Sequence, residues 1–160
     1  MIYLSTNCLD LLKDERDLKS KDIAKYIGVD KSTYSEWEHS KIPIPTRRLI
    51  ELANFYEINI DYLLGLTYNR CNIKSNISLD LKKMGKRIKE IRKDLGLSLR
   101  ELGSILNCSF SSIASYERGE KLINSEILIS LAKFSKCSID YILLRSNKKH
   151  NIKLVHKFEK

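Results

Sequence analysis

The chain has only two prolines, Pro43 and Pro45, and six glycines in 160 residues. So few breakers exclude a Pro/Gly-rich linker protein and leave room for extensive helix. The four cysteines, Cys8, Cys71, Cys108 and Cys137, show no C-x-x-C spacing, and the three histidines do not cluster near them. A disulfide framework and a zinc site are thereby excluded, and reduced thiols in a cytoplasm are expected. No apolar run approaches the length of a membrane span and the N-terminus lacks a signal-peptide pattern, so no membrane partner is expected. A phosphate-cradling glycine loop is missing, as is any paired-carboxylate arrangement beyond helix-surface charges. No Cys/His proximity can be argued either, so neither an enzyme nor a cofactor or metal is indicated.

What is present is a repetition. Ile23-Ala24, Gly28, Trp37-Glu38 and Ile60-Asp61-Tyr62-Leu63-Leu64 recur 79 residues later as Leu102-Gly103, Asn107, Tyr116-Glu117 and Ile139-Asp140-Tyr141-Ile142-Leu143. The register runs without a gap from about Leu9 to Leu66, with about 13 identities, among them Leu18/Leu97, Ser32/Ser111 and Ala53/Ala132. A period that long, occurring twice, indicates a duplicated small domain. The boundaries read as a first domain at 1–68, a linker at 69–83 running into the first helix of the next domain, a second domain at 84–145 and a basic tail at 146–160.

The net charge is +9 and unevenly spread. Residues 1–68 carry 9 Lys/Arg against 11 Asp/Glu, whereas residues 69–160 carry 20 against 9. Attraction to a polyanion is therefore expected mainly from the C-terminal half.

Helical spacing fills both copies. Ile88, Ile91, Arg92 and Leu95 define one helix, closed by Gly96. Ser98 caps the next, with Glu101 completing a capping box, and Leu102, Ile105 and Leu106 form its buried stripe. Asn107, or Gly28 in the first copy, takes the sharp turn. Ser109, or Asp30, caps the third helix. Two helices crossing closely there need a small residue, supplied by Ala24 and Gly103. Leu49, Leu52, Ala53 and Phe55, and likewise Leu128, Leu131, Ala132 and Phe134, lie inward on a fourth helix. A short fifth begins near Asp61 or Asp140. Ser78 and Asp80 mark a helix start before the second copy.

With these residues in place the chain resembles the Cro/cI-type (XRE) helix-turn-helix family. Gly96-Leu97-Ser98-Leu99-Arg100-Glu101-Leu102-Gly103 is similar to the family's G-L-T-Q-E-E-L-A. Ile113-Ala114-Ser115-Tyr116-Glu117-Arg118-Gly119 is similar to I-S-R-I-E-R-G, and Ile139-Asp140-Tyr141-Ile142-Leu143 to V-S-x-D-x-L-L. The first copy matches more loosely over Asp17–Leu64. The resemblance implies an all-α fold of two tandem five-helix, lambda repressor-like domains. It also implies that the third helix of a copy enters the major groove of double-stranded DNA.

Carried over residue by residue, the resemblance puts Phe110, Ser111, Ser112 and Ser115 on the groove side of the second copy, and Lys31, Ser32 and Glu36 on that of the first. Phe110 suits a thymine methyl and Lys31 guanine O6/N7. Ser98, Arg100, Lys86 and Lys121 join the second copy's contacts, and Ser20 those of the first. Where the family has a phosphate-binding Gln, this chain has Leu99 and Ser20. An ion pair from the first helix to the end of the third is implied as Arg92–Glu117 and Lys13–Glu38. In the first copy Asp30 and Glu38 place negative charge near the phosphates, so the second is expected to be the main reader.

The leading expectation is a sequence-specific transcriptional regulator of the repressor type. The alternative is a protein-interaction module, an antitoxin or anti-repressor-like partner whose acidic first domain docks another protein. A homodimer through the first domain or the tail also stays open.

Overall fold

The computed structural model describes residues 7–149. Residues 150–160, most of the basic tail through which a homodimer stays open, lie outside the described residues. Contacts divide the chain between Lys74 and Ser75 into two compact units. Among the described residues there is no strand, only an isolated antiparallel bridge between Ile58 and Asn72.

The first unit contains α1 (Leu9–Glu15), α2 (Ser20–Ile27), α3 (Lys31–Glu38), α4 (Thr46–Tyr56) and α5 (Ile60–Leu63). Its core gathers Leu9, Leu12, Ile23, Ala24, Tyr34, Trp37, Leu49, Leu52, Ile58, Ile60 and Leu63. Residues 69–74 lie along this unit. The Asn59 amide donates to the Cys71 carbonyl at 3.1 Å and the Ile73 amide to the Glu57 carbonyl at 3.0 Å. The Asn59 side chain accepts from the Cys71 amide at 2.8 Å and donates to the Asn69 carbonyl at 3.0 Å.

The second unit contains α6 (Leu81–Asp94), α7 (Leu99–Ile105), α8 (Phe110–Glu117), α9 (Ser125–Ser135) and α10 (Ile139–Ile142). Met84, Ile88, Ile91, Leu102, Ile113, Leu128, Leu131, Ile139 and Ile142 are buried at its centre. Asp80 caps α6 by accepting from the Lys82 and Lys83 amides. Beyond α10, Arg87 donates to the Ser146 carbonyl and to Asn147 Oδ1, each at 2.8 Å, holding the start of the tail on α6.

The duplication extends to the backbone. Ten described residues have positive φ, and they form five pairs at the 79-residue offset: Asp17/Gly96, Gly28/Asn107, Ser40/Gly119, Glu57/Lys136 and Gly65/Leu144. The left-handed conformation costs an L-residue about 1–2 kcal/mol, so glycine is favoured there. Yet Glu57 and Lys136 hold it without glycine in either unit, because the same scaffold imposes it twice.

Three expectations about side chains are corrected. Ile105 is 43% exposed and Phe134 45% exposed, not part of the core stripe. The buried face of α7 centres on Leu102, Gly103 and Leu106, about a third of a turn from Ile105, and Phe134 is offset in the same way on α9. Asp30 adopts the N-cap backbone conformation but makes no side-chain cap hydrogen bond. Its carboxylate is exposed.

Candidate nucleic-acid interface

The interface starts with close backbone approach. A Cβ on Gly103 would come within 2.7 Å of the Cys108 carbonyl oxygen and 3.2 Å of the Phe110 nitrogen. Glycine therefore lets α7 rest against the first turn of α8. At the other end of α8, a Cβ on Gly85 would lie 2.5 Å from the carbonyl oxygens of Tyr116 and Glu117. The repeat alignment does not reveal that second crossing, since the position equivalent to Gly85 is Thr6, outside the described residues. A glycine inside a helix, about 1 kcal/mol worse than alanine, was the available sign.

Local bonds set the helix starts. Ser98 Oγ accepts from the Glu101 amide at 3.2 Å, and Glu101 accepts from the Ser98 amide at 2.7 Å, closing the expected capping box. These bonds hold the Glu101 carboxyl below its usual range. Ser109 Oγ accepts from the Ser112 amide at 3.1 Å and lies 3.0 Å from Ser111 Oγ and 2.9 Å from Ser112 Oγ. Three hydroxyls thus meet at the first turn of α8. Ser109 was read only as a cap, although it holds the other two.

Phe110 and Ser111 are exposed on that turn, while Ser112 and Ser115 are half-buried above Ile113 and Tyr116. Arg100 is exposed on α7, its guanidinium carbon 5.4 Å from the Phe110 ring centroid. Lys86 is exposed next to the Gly85 contact, and Lys121 is exposed beyond the C-terminal end of α8. Arg118, in the same region, is paired with Glu120 at 2.7 and 3.0 Å.

The two expected ion pairs are present and differ in form. Arg92 grips Glu117 with two bonds, Nε–Oε1 at 2.6 Å and Nη2–Oε2 at 3.1 Å, both partners largely buried. The bond to Glu117 raises the Arg92 pKa further. Lys13 meets Glu38 through a single nitrogen at 3.1 Å and also binds Asp10 at 2.9 Å. The Asp10 bond, with Glu38 assisting, pushes Lys13 up to about 12.

In the first unit Lys31, Ser32 and Glu36 are exposed along α3. Ser20 faces inward, donating to the Glu38 carboxylate at 3.0–3.1 Å, with Lys13 Nζ at 3.4 Å. Glu38 is buried in this network, which corrects its expected place near the phosphates: its charge is met by Lys13. Asp30 remains exposed.

Each unit is thus a five-helix helix-turn-helix domain with a half-exposed third helix. The helix-turn-helix family model matches residues 10–63 and 88–142, more than half of the chain. The chain belongs to that family, of the Cro/cI (XRE) type, in two tandem copies.

Among curated relatives, repressor protein C2 of Salmonella phage P22 is 40% identical over 60 residues, covering 38% of this chain and 28% of that protein. The uncharacterized HTH-type transcriptional regulator YobD of Bacillus subtilis is 36% identical over 56 residues, 35% of this chain and 50% of the relative. The chain therefore spans half or less of the length of these two relatives. A crystal structure of the P22 c2 repressor with synthetic operator 9T aligns at 38% identity and a TM-score of 0.38, over 39% of this chain and 96% of that one. The clp gene regulator ClgR of Corynebacterium glutamicum aligns at 29% identity and a TM-score of 0.39, over 42% and 72%. No helix among the described residues is long and apolar enough to cross a membrane.

Proposed function

We propose that the chain is a sequence-specific double-stranded DNA-binding transcriptional regulator of the cytoplasm, a repressor that occupies an operator. α8 enters the major groove, with Phe110, Ser111, Ser112 and Ser115 directed at base edges. Ser98, Lys86 and Lys121 hold the phosphate backbone, and Arg100 reaches toward the groove from α7. In the first unit Lys31, Ser32 and Glu36 are the groove-side residues. Ser20 acts there through Glu38, as an internal positioning group. The second unit is the principal reader.

The observation that carries this reading is the first turn of α8. Phe110 is 50% exposed there, an apolar exposure that the core does not require, on a helix whose other side is buried through Ile113 and Tyr116. The names of the relatives, regulators and a repressor, favour this reading over a docking module.

Salt-titrated binding to random and selected duplexes tests it. Affinity is expected to fall steeply with salt, with one family of sequences preferred. Lys86→Ala and Lys121→Ala are each expected to weaken binding evenly across sequences and to reduce the salt slope by about 1. No affinity at low salt, or equal affinity for every duplex, would overturn the proposal.

A further inference from the structure

We infer that Arg100 and Phe110 form one reading unit that selects a thymine and a guanine in adjacent base pairs of the bound duplex. The inference rests on the DNA-binding role proposed above and specifies what its site reads.

Gly103 builds the pair. Its missing side chain lets α7 approach the backbone at Phe110, and Arg100, three residues earlier, lies on the same face of α7. The guanidinium carbon consequently sits 5.4 Å from the centre of the Phe110 ring. Nearby arginines are engaged by carboxylates, Arg92 by Glu117 and Arg118 by Glu120. Among the described residues no carboxylate pairs with Arg100; the ring is the partner that holds it. Its donor fork therefore stays available while the stack limits where it can go.

The chemistry of each half follows from the groove. A phenyl ring at the start of a groove helix suits the thymine C5-methyl, and an arginine fork suits guanine O6 and N7. A single base pair offers one of these features, never both. Successive base pairs are about 3.4 Å apart, so a ring and a guanidinium held 5.4 Å from each other, the latter on a flexible stem, can serve neighbouring pairs. The equivalent positions in the first unit are Lys21 and Lys31, two ammonium groups with no ring between them. The paired reader is thus confined to the second copy.

The test begins with selection of bound sites from a random duplex pool by the full chain. Selected sites are expected to share adjacent T·A and G·C pairs. Replacing that thymine by deoxyuridine, which removes the methyl alone, should weaken binding about fourfold. Replacing the guanine by 7-deazaguanine should weaken it by about fivefold or more.

Variants then ask whether the two halves act together. Phe110→Ala should erase the thymine-over-uracil preference and also lower the guanine preference, because the arginine loses its support. Phe110→Leu, which keeps an apolar side chain on the exposed turn, should retain the first preference and lose part of the second. Arg100→Lys should lose guanine selection at an unchanged salt slope. If Arg100→Ala instead weakens all duplexes equally and lowers the salt slope, Arg100 is a phosphate contact and the inference is wrong. A selected site without adjacent T·A and G·C pairs, or indifferent to uracil, also overturns it while leaving the regulator role standing. Failure to select any sequence loses the role itself.

Discussion

All five helices of the second unit start beneath a side chain bonded to a first-turn amide, supplied by Asp80, Ser98, Ser109, Asn124 and Ser138. None of the five N-cap residues in the first unit, Cys8, Lys19, Asp30, Pro45 and Asn59, makes such a bond; α1 has a substitute, Asn7 Oδ1 accepting from the Leu9 amide at 3.1 Å. The first unit has aromatic mass instead. Tyr34 and Trp37 are buried and packed edge to face at 6.4 Å, with Tyr56 also buried, where the second unit has Ile113, Tyr116 and Ser135. Copies of one scaffold are therefore held differently: one by signals local to each helix, the other by a core assembled from distant residues. Caps near α7 and α8 also fix the two helices that carry the proposed reading surface. In the first unit Lys19 stands at the N-cap of α2, and the neighbouring Ser20 is turned inward to Glu38.

The largest expected difference lies in the ion pairs. Glu117→Ala strips a two-bond partner from a largely buried guanidinium and should cost about 3 kcal/mol. Glu38→Ala leaves Lys13 still bound to Asp10, so it should cost less, by about 1 kcal/mol or more. The single tryptophan, Trp37, is buried in the first unit and reports its unfolding by fluorescence in urea. Hydrogen exchange reports the second. Equal costs would mean that the difference in bond geometry has no energetic consequence.

The reading surfaces come next. Ser111→Ala should change base preference at one position of a selected site, by about 1 kcal/mol, whereas Ser32→Ala should change it less. These residues are identical by repeat alignment and both exposed, so the comparison isolates which unit reads. Equal changes would make the first unit a reader of the same rank.

Capping offers a third comparison, of similar or smaller size. Ser98→Ala should destabilise the second unit by about 1 kcal/mol. The equivalent N-cap in the first unit is Lys19, with Asp22 three residues on in the first turn. Lys19→Ser should stabilise that unit by up to about 1 kcal/mol, seen as a later Trp37 transition. No shift would show that the tertiary core already fixes the start of α2.

What could be read in advance follows the same division between local and distant. The Ser98/Glu101 box and the Gly28/Asn107 turn were legible because residue type, spacing and backbone conformation lie within one helical turn. The ion pairs were legible through the family resemblance, though not that one is two-bonded and the other shared with Asp10. Ile105 and Phe134 were misplaced because periodicity locates a stripe but not its centre, which tertiary packing sets. The run of residues 69–74 beside Ile58 and Asn59 carries no periodic signal at all. Arg100 and Phe110 were each legible as contacts, but their stacking depends on a helix crossing at Gly103 that brings separate elements together.

The smallest expected effect sets charge against the two kinds of support. Asp80 and Glu101, which serve the starts of α6 and α7, have pKa values lowered chiefly by bonds from the Lys83 and Ser98 amides. Such groups add stability above their unfolded values, 3.8 and 4.5, and lose it as pH falls through the lower folded values. In the first unit Asp10 behaves in the same direction through its bond to Lys13, but it caps no helix. Acidification from neutrality to below 3.8 should therefore weaken the second unit more than the first. Hydrogen-exchange protection in α6 and α7, compared with the Trp37 transition, measures the change unit by unit. Asp10 and Glu101 are exposed and Asp80 is half-exposed, so the shift should be modest and should shrink further in salt. A greater loss in the first unit would mean that the caps do not govern the acid limb of the whole chain.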